Sequence, residues 1–264
     1  MIKLILLTHQ QQHQLWPLAS MFDPLQGIAL PTLPRSGSNT QAESVATSML
    51  GRVLSQWAPL TETAKDVWLL ANKGSIAFLQ RCLEQESLND YRHQFITEPT
   101  NYGGLYSLGM AVQVLHEQLH TPERTPLVLW DTAFLPSETF MRAGTLKQRL
   151  NTALMEQRTT VLHDAHGQVV ALLGSLLHCR QLLAKAYPTY YATLTQGVLA
   201  YTENYQHPPI DALSLTTLQQ AGAVLHPLLE TEVQRFNDFE QLKQQLQPSS
   251  DGNQVLGTTV VRFK

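Results

Sequence analysis

Cysteine is almost absent: Cys82 and Cys179 are the only two in 264 residues, and they lie far apart. That excludes a disulfide-stapled scaffold and reads as two buried, reduced thiols in a cytosolic setting. No apolar run approaches the ~20 residues that a membrane span needs. The opening Met1-Ile-Lys-Leu-Ile-Leu-Leu7 has one cation, a very short apolar stretch and no cleavage-like site. It reads as a first buried strand, not a signal peptide. Charge is also scarce, at 15% of residues with a net −3. No Lys/Arg stripe exists to neutralise a row of phosphates, which excludes a general nucleic-acid binder. Nor is there a basic amphipathic face for an anionic membrane. A Gly-x-Ser-x-Gly elbow, a Walker loop and a Cys-x-x-Cys pair are all missing. What remains is 43% hydrophobic, ordinary globular material, long enough to bury a large core as one domain or two small ones.

Apolar runs alternate with helical patterns through the first half. Lys3 to Leu7 is a short continuous apolar run, the pattern of a strand covered on both faces, and Asp66 to Ala71, Gln94 to Glu98 and Pro126 to Asp131 read as further strands. Between them, Thr40 to Trp57, Ser75 to Gln85 and Gly103-Gly104 to about Gln118 carry helical spacing. Strand and helix in this order imply βαβ crossovers and a mainly parallel sheet. Thr159 to His163 and Gln168 to Leu173 flank the turn-like Asp164-Ala-His-Gly167, which predicts a hairpin. Leu176 to Ala186 is helical by pattern, and Tyr187 to Pro209 carries no assignable period. Asp238 to Gln247 reads as a closing helix stopped by Pro248. The organisation is one α/β domain over residues 1–247. Residues 248–264 add a loop and, from Val255 to Phe263, a candidate late strand.

Three segments, in order, resemble the nucleotidyltransferases that join a nucleotide to a sugar phosphate or to molybdopterin. Leu15-Trp-Pro-Leu-Ala-Ser20 is similar to the end of the mannose-1-phosphate guanylyltransferase loop, Gly-Gly-x-Gly-Thr-Arg-Leu-Trp-Pro-Leu-Ser. Glu98-Pro-Thr-Asn-Tyr-Gly-Gly-Leu-Tyr-Ser-Leu-Gly-Met-Ala111 resembles that family's Glu-Pro-x-x-Arg-Asn-Thr-Ala-Pro-Ala-Ile segment. It equally resembles the Gly-Pro-Leu-Ala-Gly helix start of the MobA group. Leu127-Val-Leu-Trp-Asp-Thr-Ala-Phe-Leu-Pro136 looks like the MobA strand ending Cys-Asp-x-Pro-Phe-Leu-Pro, whose aspartate binds the catalytic metal. Arg235-Phe-Asn-Asp-Phe-Glu-Gln-Leu242 is similar to a late Asn-x-Asn-Thr-Pro-Glu-Asp-Leu turn into the last helix. The resemblance implies a three-layer α/β sandwich with a mainly parallel, mixed sheet of the nucleotide-diphospho-sugar transferase (GT-A, Rossmann-like) type.

The catalytic loop departs from that pattern. Glycines let backbone N–H groups approach a triphosphate, because they lack Cβ and tolerate φ > 0. The matching residues here are His9-Gln-Gln-Gln-His-Gln14, with no glycine and no arginine, and the family's lysine after proline is Leu25. Phosphoryl transfer is mostly positioning and charge neutralisation, so losing two cations and the cradle removes most of that work. The resemblance places a vestigial nucleotide site at His9, Gln10, Gln12, His13, Gln14, Leu15, Glu98, Gly103 and Gly104. Asp131 is the candidate metal ligand. The expected protein is a pseudoenzyme or weakly active transferase of guanylyl- or cytidylyltransferase ancestry, using Mg2+ only if active. Two alternatives stand beside it. One is an active transferase with an unfamiliar phosphate grip. The other is a cytoplasmic binding or assembly protein that takes a nucleotide, a sugar phosphate or a protein partner in the same crevice.

Other residues carry two readings each. His163-Asp-Ala-His166 could hold a metal or simply form a polar turn. His116 and His120, four apart on a helical pattern, have zinc-like spacing but lack the Glu of a His-Glu-x-x-His site. Asp131 could serve chemistry or cap the turn or helix that follows. Trp16 and Trp130 are core aromatics by default, with stacking on a base as the alternative.

Overall fold

The computed structural model describes residues 2–7, 54, 57, 61, 63–85, 88–98, 104–132, 134–142, 144–188 and 213–235. The expectations on His9 to Leu15, Trp16, Leu25, Gly103, the closing helix, the boundary at 247/248 and the late strand lie outside these residues. Of the helix expected over Thr40–Trp57, Leu54 and Trp57 are described; both are helical and buried.

The described chain runs β1 (Lys3–Leu7), β2 (Val67–Asn72), α1 (Lys73–Gln85), β3 (Phe95–Glu98), α2 (Gly104–Gln113), β4 (Pro126–Asp131) and β5 (Phe134–Pro136). It continues through α3 (Glu138–Arg142), α4 (Thr145–Met155), β6 (Thr160–His163), β7 (Val169–Ser175), α5 (Leu176–Ala186), α6 (Leu215–Gln220), β8 (Val224–Pro227) and β9 (Val233–Arg235). Seven strands form one sheet in the order β3-β2-β1-β4-β7-β6-β8, and β5 pairs with β9 in a separate ribbon. As the apolar runs predict, β1 lies between β2 and β4 and is parallel to both. β3 extends the parallel set beyond β2. The predicted hairpin is present, with β7 antiparallel to β6 and to β4. β8 then joins β6 in parallel. The sheet is thus mixed.

Strand side chains alternate between faces, so each buried strand feeds two cores. Val67, Leu69, Val128 and Trp130 enter a first cluster with Trp57, Leu83 of α1, and Leu146 and Leu150 of α4. Leu70, Leu127 and Leu129 enter a second, with Leu108 and Val112 of α2, Leu182 of α5 and Leu218 of α6. Helices cover both faces, giving three layers. Two helix starts use serine to satisfy an otherwise orphaned N–H: Ser175 Oγ accepts from His178 N at 3.2 Å, and Ser214 Oγ from Thr217 N at 3.3 Å. At the amino edge, Lys3 Nζ lies 2.7 Å from the buried carboxylate of Asp66. Thr63 Oγ1 donates to the other oxygen of that carboxylate at 3.0 Å.

Two local expectations change. The helix from Gly104 does not run evenly to Gln118. Past Gln113 it widens into a π-helical turn over Val114–Gln118, and His120 adopts φ 47°. His116 and His120 therefore do not share one face of a regular helix, and the zinc-type spacing has no geometry behind it. The Phe134–Pro136 and Val233–Arg235 pairing has no counterpart in the sequence pattern, since three-residue strands are too short to show a period.

Candidate functional site

Four parallel strands end on one edge of the sheet, at Glu98, Asn72, Leu7 and Asp131. Open α/β sheets bind ligands in the crevice at such carboxyl ends. Leu7 pairs with Asp131, so the chain leaving β1 toward His9 starts directly beside that carboxylate. α2 connects β3 to the parallel β4 and must run back against the strands. Its first turn, opened by Gly104, therefore begins on this same edge. The positive end of the helix dipole lies there too.

Asp131 is buried, at 6% exposure, and follows Leu127 and Leu129 on the α2 side of the sheet. What comes next is a turn at Thr132 and then β5, so Asp131 caps no helix. Glu98 ends β3, three strands away from β4. At about 4.8 Å per strand, that places it roughly 14 Å along the edge, too far to share an ion with Asp131. Among the described residues no group of three or more His, Cys, Asp or Glu could hold a metal ion. Magnesium takes one or two carboxylates and completes its shell with water and phosphate oxygens. Asp131 offers one carboxylate, and the described donors do not form a magnesium site by themselves.

Trp130 is fully buried, its Nε1 donates to Phe134 O at 2.7 Å, and its ring meets Trp57 edge-on at 4.9 Å between centroids. It is a core aromatic anchoring the end of β4, with no free face for a base.

The other half of the sheet brings a second polar group to the same edge. β6 is parallel to β8 and ends at His163, and Asp164 to Gln168 turn the chain into β7. The Asp164 carboxylate is used by the turn itself: Oδ1 accepts from His166 N at 3.0 Å and Gln168 N at 2.7 Å. Gly167, at φ 76°, takes the left-handed position, where a side chain would be strained. The polar-turn reading of His163-Asp-Ala-His166 accounts for these contacts. A β-bulge lies between Leu162 and His163, a feature with no sequence signal beyond the neighbouring turn. His163 Nδ1 sits 2.9 Å from Asp164 O. His166 is exposed on the turn. His226 pairs with Leu162 and so faces the opposite side of the sheet from His163. These three imidazoles do not converge.

Beyond the edge, the β5–β9 ribbon is tied to α4. Arg149 stacks 5.5 Å over Phe140, and its Nη2 lies 3.4 Å from Glu232 Oε1. Arg149 Nη1 is buried with no hydrogen-bond partner among the described residues.

No family model matches the chain, and no curated protein matches its sequence. Solved structures do match in fold. One is mannose-1-phosphate geranyltransferase from Thermus thermophilus, with TM-score 0.53 and 12% identity over 88% of this chain and 75% of that one. A nucleoside-diphosphate-sugar pyrophosphorylase from Vibrio cholerae matches with TM-score 0.50 and 10% identity over 92% and 98%. Mannose-6-phosphate isomerase from Helicobacter pylori matches with TM-score 0.50 and 11% identity over 88% and 99%. At these identities the likeness is one of fold: a sugar-nucleotidyltransferase-like α/β architecture. Among the described residues, no helix is long and apolar enough to cross a membrane.

Proposed function

We propose that this chain is a nucleotidyltransferase-like protein with little or no transferase activity, of sugar-1-phosphate or molybdopterin guanylyl- or cytidylyltransferase ancestry. Its crevice serves binding rather than turnover, in a cytoplasmic setting. The observation that carries the reading is the pairing of Leu7 with Asp131. It puts the start of the segment containing His9-Gln-Gln-Gln-His-Gln14 beside the one strand-end carboxylate that the resemblance marks for a metal. That segment has neither glycine nor cation. A magnesium triphosphate brings several negative charges, and without an arginine or lysine in that segment the positive end of the α2 dipole alone does little to offset them. The vestigial site comprises His9, Gln10, Gln12, His13, Gln14, Leu15, Glu98, Gly103 and Gly104, with Asp131 as the remaining candidate for Mg2+. The mannose-phosphate and nucleotide-sugar names of the structural neighbours support a sugar phosphate or nucleotide as the ligand class.

Calorimetry with GTP and with CTP, each with and without magnesium, tests this. The expected result is no binding tighter than high micromolar. A micromolar Kd for either triphosphate corresponds to about −8 kcal/mol and would show that Gln and His form a substitute cradle; turnover of that triphosphate with a sugar 1-phosphate would overturn the proposal.

A further inference from the structure

We propose that His163 is a ligand-binding residue of the carboxyl-edge crevice, its Nε2 accepting a hydrogen bond from a hydroxyl group of the bound molecule. The inference rests on the reading of that edge as a ligand crevice and goes beyond it by naming a residue and the group it recognises. Position comes first. β4, β7 and β6 are neighbours, and β4 and β6 both end on this edge, so Asp131 and His163 lie two strand spacings apart, roughly 10 Å. They also share a face. Asp131 follows Leu127 and Leu129 on the second-cluster side, and His163 pairs with Val169, which packs against that same cluster.

The tautomer follows from the hydrogen bond. A carbonyl oxygen only accepts, so the 2.9 Å contact between Nδ1 and Asp164 O requires the proton on Nδ1. In the neutral ring the lone pair then lies on Nε2, so one ring nitrogen is held by the protein and the other is left to accept a hydrogen bond. The mounting is rigid. Asp164 N and Oδ1 both bond Gln168, Gly167 N bonds Asp164 O at 3.1 Å, and Leu228 N bonds His163 O at 2.7 Å. The β-bulge places its extra residue, Val170, on β7, opposite Leu162 and His163, so the ladder is irregular directly beside His163. His163 is half-buried, so its ring is held without being sealed off. A lone pair repels phosphate oxygens and attracts O–H donors, which points to a sugar-type hydroxyl, not the phosphate.

The test follows the His163 ring resonances of the full-length protein by NMR during titration with mannose 1-phosphate, inorganic phosphate and guanosine. Mannose 1-phosphate is expected to shift them, with Nδ1 staying protonated, while inorganic phosphate does not. His163→Gln should then weaken mannose 1-phosphate binding about fivefold to tenfold, the loss typical of one net hydrogen bond. His166→Gln, an exposed change on the same turn, should leave binding unchanged. Equal shifts with inorganic phosphate, shifts with guanosine alone, no shift with any probe, or a proton resting on Nε2 would each overturn the inference. Turnover of a triphosphate would defeat the proposed lack of activity while leaving a mannose-dependent His163 shift standing, so the two failures are distinguishable.

Discussion

The two halves of the sheet present polar groups to the same edge by different means. In the parallel half, β3, β2, β1 and β4 are joined by crossovers, so each strand hands the chain to a connection that starts at the edge and must travel back. The polar chemistry there depends on connections and on a helix start, with Asp131 and Glu98 the carboxylates at strand ends. In the other half, β6 and β7 are joined directly through Asp164–Gln168, and the turn satisfies its own backbone with its own carboxylate. A crossover edge can change its connections while the strands stay in place, because the core beneath belongs to the strands and helices. A hairpin edge cannot, because the turn is part of the hydrogen-bonded ladder. A crossover connection is therefore the freer of the two to vary in sequence, and the β6–β7 turn is the more tightly specified.

The largest expected effect sharpens the claim that the strand end under Asp131 is anchored by packing. Trp130→Ala removes a fully buried indole, its edge-on contact with Trp57 and the Nε1 bond to Phe134 O. A loss of about 3–5 kcal/mol in urea unfolding is expected. A loss below about 2 kcal/mol would mean the strand end is held from elsewhere.

In the other half, burial pushes the Cys179 thiol up to about 12 from 9.0. The folded state keeps its proton more tightly than the unfolded state does. Its contribution to stability is therefore complete below pH 9 and lost as pH rises from 9 through about 12. The loss is on the order of 1 kcal/mol one unit above pH 9 and grows to a few kcal/mol toward the top of the window. Burial raises Tyr187 as well, which adds in the same direction at higher pH. Denaturant midpoints measured from pH 8 to 11 should fall for the wild type and fall less steeply for Cys179→Ala. Equal slopes would remove Cys179 as the cause.

A smaller effect tests the self-held turn. Asp164→Ala strips the acceptor from the N–H groups of His166 and Gln168, and about 1–3 kcal/mol should be lost. Asp164→Asn keeps a carbonyl acceptor and should lose less. If both variants lose the same small amount, water satisfies the turn as well as the carboxylate does.

Much of this architecture is legible in the residues alone. Lys3–Leu7, Asp66–Ala71 and Pro126–Asp131 announce buried parallel strands because both faces of each are apolar. The turn residues of Asp164–Gly167 announce the hairpin. The β5–β9 ribbon is not legible, since three residues hold no period and the partner lies about a hundred positions away. The bulge at His163 is hidden because it shifts pairing without changing residue types. The π-helical turn over Val114–Gln118 defeats the His116/His120 spacing because periodicity assumes an even helix. In the candidate site, Asp131 is singled out because a strand-end carboxylate stands out after an apolar run. The preferred nitrogen of His163 needs the position of one carbonyl oxygen, which no spacing reveals.

The smallest expected effect falls on Asp131. With little or no transferase activity, Asp131→Asn should leave biological function intact, because no step of a reaction depends on the charge. Asparagine keeps the shape and one carbonyl oxygen, so the stability change should stay near the ~1 kcal/mol of a single altered hydrogen bond. An active transferase predicts something else. The substitution would then remove a metal ligand, and the negatively charged partners of the reaction would meet without a bridging ion. Stabilisation of that kind contributes several kcal/mol, so the rate should drop about a thousandfold or more. Complementation in cells, paired with a melting curve to confirm folding, separates these outcomes without a purified substrate. A severe functional loss in a variant that still folds would return catalysis to the parallel half of the edge. It would also mean that the segment after β1 grips phosphates without glycine, arginine or lysine.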